Sequence, residues 1–164
     1  MKQKHLNDKV AEGGRRPLAE KLPDNIEVKA PWSRTLTLSG AFELHRQALE
    51  GKLKGRETEL TEDIINAKCS YQDGFHTEVM QDGRVAFFPN STQVTPLFLA
   101  CEFKVWKSAL LLLNAGADPN IARKNGNGQY CTPLFMVAYH GSKEVCRKLL
   151  ACGASQDIDT TGDL

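Results

Sequence analysis

The sequence predicts an all-α repeat solenoid carrying one elongated β-hairpin insertion, and three observations support it. The first is an internal repeat: Thr95-Pro96-Leu97-Phe98-Leu99-Ala100 returns as Thr132-Pro133-Leu134-Phe135-Met136-Val137, and Gly-Ala follows 21 residues after each Thr, at Gly116-Ala117 and Gly153-Ala154. Repetition at such a period marks units that stack because none can bury its apolar face alone. The second is that both units begin and end with residues that start and stop helices. The third is a pair of β-prone runs around Asp82-Gly83, between the clear units and the helical pattern that precedes them.

Residues 1–38 form the arm of this scheme. Up to Arg34 it carries eight Lys or Arg against five Asp or Glu, with Gly13-Gly14, Pro17, Pro23 and Pro31 and few apolar positions, so a flexible or draped segment is expected. Its large apolar residue, Trp32, is expected to cap the end of the stack. Residues 39–164 form the repeat domain, beginning with a degenerate capping repeat at 39–73. There Ala41, Phe42, Leu44, Ala48 and Leu49 fall at helical spacing behind Ser39, and Leu60, Ile64, Ile65 and Ala67 mark a second short helix.

The hairpin follows at 74–94, with Gln81 and Arg84 expected to close its ladder across a two-residue Asp-Gly turn. Repeats at 95–131 and 132–164 complete the chain. Thr95 and Thr132 can cap their helices through the hydroxyl, and Pro96 and Pro133 occupy the first helical position, where a missing N–H costs nothing. The second helices carry Leu111-Leu112-Leu113 and Val145, Leu149 and Leu150 at core spacing, and each stops at a glycine.

A unit that opens on Thr-Pro-Leu and closes on Leu-Leu-x-x-Gly-Ala resembles the ankyrin repeat, two short antiparallel helices and a turn. The resemblance is strong over Thr95 to Asp157, weaker over Ser39 to Asp73, and implies an ankyrin-like helix-turn-helix stack. The chain departs from it at Phe98 and Phe135, where His is usual, and at Lys104, where Gly is usual between the helices. The spacing from Thr95 to Thr132 is 37, and the excess over the family's roughly 33 lies in the turn Lys124 to Tyr130. Asp159 to Leu164 looks like the lead into a further repeat, so the last unit is either uncapped or part of a longer protein. Marginal stability or self-association through the C-terminal repeat is the expected consequence.

Composition excludes several function classes. With 21 basic and 20 acidic residues no whole-molecule field favours nucleic acid or an anionic membrane, and no apolar run is long enough for a membrane span. Five cysteines without a C-x-x-C and no signal-peptide pattern lead to the expectation of an intracellular, cytoplasmic setting, in which the Asn90-Ser91-Thr92 sequon is unused. His5, His45, His76 and His140 are scattered, which predicts no metal site. Cys101 stands at a small-residue position, and the thiols read as packing groups. No phosphate loop, nucleophile with a base, or paired-carboxylate signature occurs, so neither catalytic residues nor a cofactor are expected.

The resemblance instead implies a protein-binding surface. It assigns Leu99, Glu102 and Phe103 in one unit, and Met136, Tyr139 and His140 in the next, to a concave groove, where four of the six would make an apolar stripe. Two outcomes follow: the stripe binds a protein partner, or the hairpin or arm folds back and buries it within the chain. Arg84 at the hairpin tip, with Lys124 and Tyr130 in the elongated turn, are further candidate partner contacts. Leu112, Asp118 and Asn120 match the spacing of an asparaginyl hydroxylation site found in such repeats, although Pro119 replaces the usual aliphatic residue and Asn120 can equally tie its turn. The function expected is a protein-interaction module, or alternatively a regulatory, inhibitory or targeting part of a larger enzyme or assembly.

Overall fold

The computed structural model describes residues 16–29, 35–124 and 130–156 of the chain, and only the backbone of 73–78 and 87–92. Trp32, His5, the turn residues 125–129 and the Asp159–Leu164 ending lie outside the described residues. The elements in order are β1 (Ile26–Lys29), β2 (Thr35–Ser39), α1 (Glu43–Glu50), α2 (Glu62–Ile65), β3 (Cys69–Val79) and β4 (Val85–Val94). Then follow α3 (Pro96–Glu102), α4 (Trp106–Asn114), β5 (Arg123–Lys124), β6 (Tyr130–Cys131), α5 (Pro133–His140) and α6 (Lys143–Ala151). The helix pairs α3–α4 and α5–α6 stand where the repeat predicts them, and α1 packs on α3 as α3 packs on α5.

The fold class is mixed α/β, not all-α. Among the described residues β1, β2, β3 and β4 form one antiparallel sheet in that order. Two of its strands come from the stretch expected to be a flexible or draped arm. Glu27, Lys29 and Thr35 are exposed while Val28, Leu36 and Leu38 are buried, so a period of two places one apolar face inward. Val28 pairs with Leu36, Ile26 with Leu38, and Leu38 in turn with Tyr71. That inner face packs on Leu49, Phe98, Leu99 and Phe103 and makes a core of its own. A second core runs between the helices, from Leu18, Leu44 and Leu53 through Leu97, Ala109 and Leu112 to Val137, Val145 and Leu149.

Local signals account for the helix starts. Thr95 Oγ1 accepts the Phe98 N–H at 3.2 Å, Thr132 Oγ1 accepts that of Phe135 at 3.1 Å, and Ser142 Oγ accepts that of Val145 at 3.4 Å. The hairpin differs in detail from its expectation. It starts at Cys69, and its last pair is Val79 with Val85. Met80 N–H then donates to Arg84 O at 2.8 Å across a three-residue loop in which Gly83 takes φ 81°. A two-residue Asp-Gly turn needs positive φ at both positions; the longer loop needs it at glycine alone.

Two polar stitches hold these parts together. Arg56, 4% exposed, grips both oxygens of Glu59 at 3.0 and 2.9 Å and also donates to the Arg16 carbonyl. Glu59 accepts the Leu18 N–H at 3.0 Å, so this fork pins the segment that carries Leu18 into the helical core. The second stitch repeats along the stack. Asn66 Oδ1 accepts the Asp118 N–H at 2.9 Å, and Asn120 accepts the Ser155 N–H at 2.8 Å while its amide donates to Gly153 O at 3.0 Å. Asn66, just after α2, thus ties the turn at Asp118 much as Asn120, after α4, ties the turn at Ser155.

Candidate interaction surface

The sheet decides which of the expected groove residues can meet a partner. Leu99 is fully buried and Phe103 only 8% exposed, the Phe103 ring lying edge-on to Tyr71 with centroids 6.3 Å apart. Neither can form an outward stripe, because β1–β4 cover the face of α3 that carries them. This corrects the expectation of partner contact at Leu99 and Phe103: the rival outcome, burial within the chain, is the one that occurs.

Glu102 is likewise engaged inside the molecule. Its carboxylate accepts from Tyr71 Oη at 2.7 Å and from Arg123 at 2.8 Å, and Arg123 also donates to Tyr71 Oη. The guanidinium lies 5.5 Å from the Phe98 ring centroid and 5.9 Å from that of Tyr71. Burial works against the Arg123 charge, but the Glu102 carboxylate and Tyr71 outweigh it and raise its pKa. Sheet, α3 and the turn between the repeats are thereby locked by one half-buried ionic knot.

The other expected residues spread along the second unit and the turns. Met136 is partly buried where the two cores meet. Tyr139 is 76% exposed, and its ring stands edge-on to His140 at 5.2 Å. His140 is half-buried, 6.5 Å from the Trp106 ring, and burial together with the nearby Lys104 ammonium holds its pKa below the ordinary value. Lys124 is exposed with its ammonium 5.7 Å from the Tyr130 centroid, and Arg84 extends from the hairpin tip in an ion pair with Asp82. Asn120 has both ends of its amide occupied by the turn it ties.

Several exposed apolar groups were not singled out from the sequence as contacts. Phe135 is 54% and Leu150 42% exposed on the last unit, and Val79, Met80 and Val85 are exposed at the hairpin tip. Phe135 lines an open groove of about 200 Å³ with Tyr130, Leu134 and Ala138. The signal for Phe135 was available: on α5 it lies four residues before Tyr139, hence on the same helix face.

Reactive chemistry has little support in these positions. Cys69 and Cys101 are buried, which pushes the Cys69 thiol up to about 12 and that of Cys101 further in the same direction. Among the described residues no three His, Cys, Asp or Glu side chains converge on a possible metal position, and no helix is long and apolar enough to cross a membrane. In a comparison with protein-family models, residues 93–124 and 129–161 each match the one described as the ankyrin repeat.

Proposed function

We propose that this chain, which carries two ankyrin repeats, is a non-catalytic interaction module that recognises a protein partner through its second clear repeat and the adjoining turns. Ankyrin repeats are in general units of protein–protein contact. The observation that supports this particular surface is the exposure of Phe135 and Tyr139 on one face of a well-capped helix, beside Met136 and His140. Aromatic side chains supply much contact area at little entropic cost, which is why they dominate binding hot spots. The Lys124–Tyr130 turn borders the same repeat, and Arg84 at the hairpin tip is a second outward contact.

The test is affinity capture with the full chain beside Phe135→Ala and Tyr139→Ala variants, each with an unchanged helical spectrum. A protein retained by the wild type and lost from both variants supports the surface; retention by both variants moves the contact elsewhere. The apolar groove beside Phe135 is also the surface through which copies of this chain would associate. A molar mass that stays monomeric across a concentration series in light scattering would remove self-association from the reading.

A further inference from the structure

The turns inside the three helix pairs carry a feature that neither the fold nor the surface around Tyr139 requires. Gly51, Lys104 and Gly141 occupy equivalent places just after α1, α3 and α5, with φ of 72°, 59° and 89°. Glycine takes this left-handed conformation without a side-chain clash, whereas a lysine there is strained. Lys104 is exposed and has no ion-pair partner among the described residues. No ion pair of its own side chain among the described residues offsets that strain.

Lys104 is also the middle of a row. Lys54 lies in the preceding turn, beside Lys52, Lys107 lies at the start of α4, and Lys143 at the start of α6; all are exposed. Lys52 pairs with Glu50 at 2.9 Å, while Lys54, Lys107 and Lys143, like Lys104, have no ion-pair partner among the described residues. The turns stack in register: a side chain on Gly51 would touch Val105 at 3.4 Å, and Trp106 meets His140 at 6.5 Å. Lys107 moreover sits in a first helical turn that contains no acidic residue, where a cation opposes the helix dipole. These exposed lysines stand out against a net charge of only +1 for the whole chain.

We propose that the lysine row on the helix-pair turns, Lys52 and Lys54, Lys104 and Lys107, and Lys143, is the docking surface for an acidic, extended segment of a partner protein. Charge complementarity selects the occupant. Geometry constrains it further: stacked helices stand about 9 Å apart, so two steps along the row span about 18 Å, which five or six residues of extended chain cover at about 3.3 Å each. The segment should carry acidic residues about three positions apart. Half-buried Trp106 and exposed Tyr139 beside the row offer an apolar contact between the charges. This inference rests on the chain being a protein-binding module and adds the chemistry of what it binds.

The experiment is selection from a phage library of random dodecapeptides on the full chain and on a Lys104→Glu, Lys107→Glu, Lys143→Glu variant, with folding checked by circular dichroism. Wild type should enrich peptides with Asp or Glu about three residues apart, and the variant should bind them at least about tenfold more weakly. Raising the salt from 50 to 300 mM should weaken the wild-type complex by a comparable factor. Lys104→Gly should weaken binding about threefold, the range of one exposed ion pair, while raising the unfolding temperature. That opposition of sign is what a merely structural lysine would not give. Peptides without acidic bias, or acidic peptides bound equally by the variant, would overturn the proposal. Tighter binding of phosphatidylserine vesicles or single-stranded RNA through the same lysines would overturn it too. Neutral peptides that depend on Tyr139 would end the acidic-segment inference while leaving the protein-binding reading intact.

Discussion

His45 shows how a single buried polar side chain can set the pH range of this fold. Its Nδ1 accepts the Phe42 N–H at 3.0 Å, so the proton must sit on Nε2, which donates to the Ala67 carbonyl at 2.8 Å. Burial lowers its pKa from 6.5 to about 4 in the fold, against the backbone bonds that act the other way. The unfolded chain therefore takes up this proton at higher pH than the folded one. The stability involved is fully present above about pH 6.5, is lost as pH falls through about 4, and amounts to roughly 3 kcal/mol. An NMR titration should find the His45 ring neutral down to about pH 5; titration near 6.5 would contradict the geometry. Lys104 makes the opposite case, a residue held at local cost. Lys104→Gly should stabilise the fold by about 1 kcal/mol in urea unfolding, and a loss of stability would refute strain at that position.

At the scale of elements, the clamp on the N-terminal segment and the sheet that segment leads into are the decisive features. Arg56 and Glu59 hold the backbone at Arg16 and Leu18, and Lys21 then bridges Phe42 ahead of β1. Arg56→Lys keeps the charge but loses the fork, so it should cost about 2 kcal/mol and speed hydrogen exchange at Leu18 and Leu22 before the helices open. Unchanged protection there would show that the fork does not hold the segment. The helix pairs were legible in the sequence because Thr95-Pro96 and Thr132-Pro133 specify helix starts locally and the repeat specified the stacking. Strands β1 and β2 were not, although Thr35-Leu36-Thr37-Leu38-Ser39 alternates with β-branched residues. Their alternation is only four or five residues long and sits among prolines and charges, so its meaning depends on a distant partner, β3, that local reading does not supply. The same blindness hid the fate of Leu99 and Phe103. A helix residue's outward direction follows from its place in the repeat, but what lies over it is a tertiary fact.

The whole molecule joins two packing systems through α3. One face of that helix faces its neighbours in the stack, with Leu97, Ala100 and Cys101 in the helical core; the other carries Phe98 and Leu99, with Phe103 just past its end, into the sheet. The ionic knot of Tyr71, Glu102 and Arg123 fastens the same joint. The sheet covers the first clear repeat, and the second, with the turns, is the proposed binding surface. Urea unfolding of Phe103→Ala beside Tyr139→Ala, each also assayed for partner capture, separates the covered repeat from the open one. Phe103→Ala should lose about 3 kcal/mol or more, as for a buried aromatic ring, whereas Tyr139→Ala should stay within about 0.5 kcal/mol of wild type and lose capture. A Phe103→Ala protein as stable as wild type but deficient in capture would place Phe103 in an open groove and not in the core.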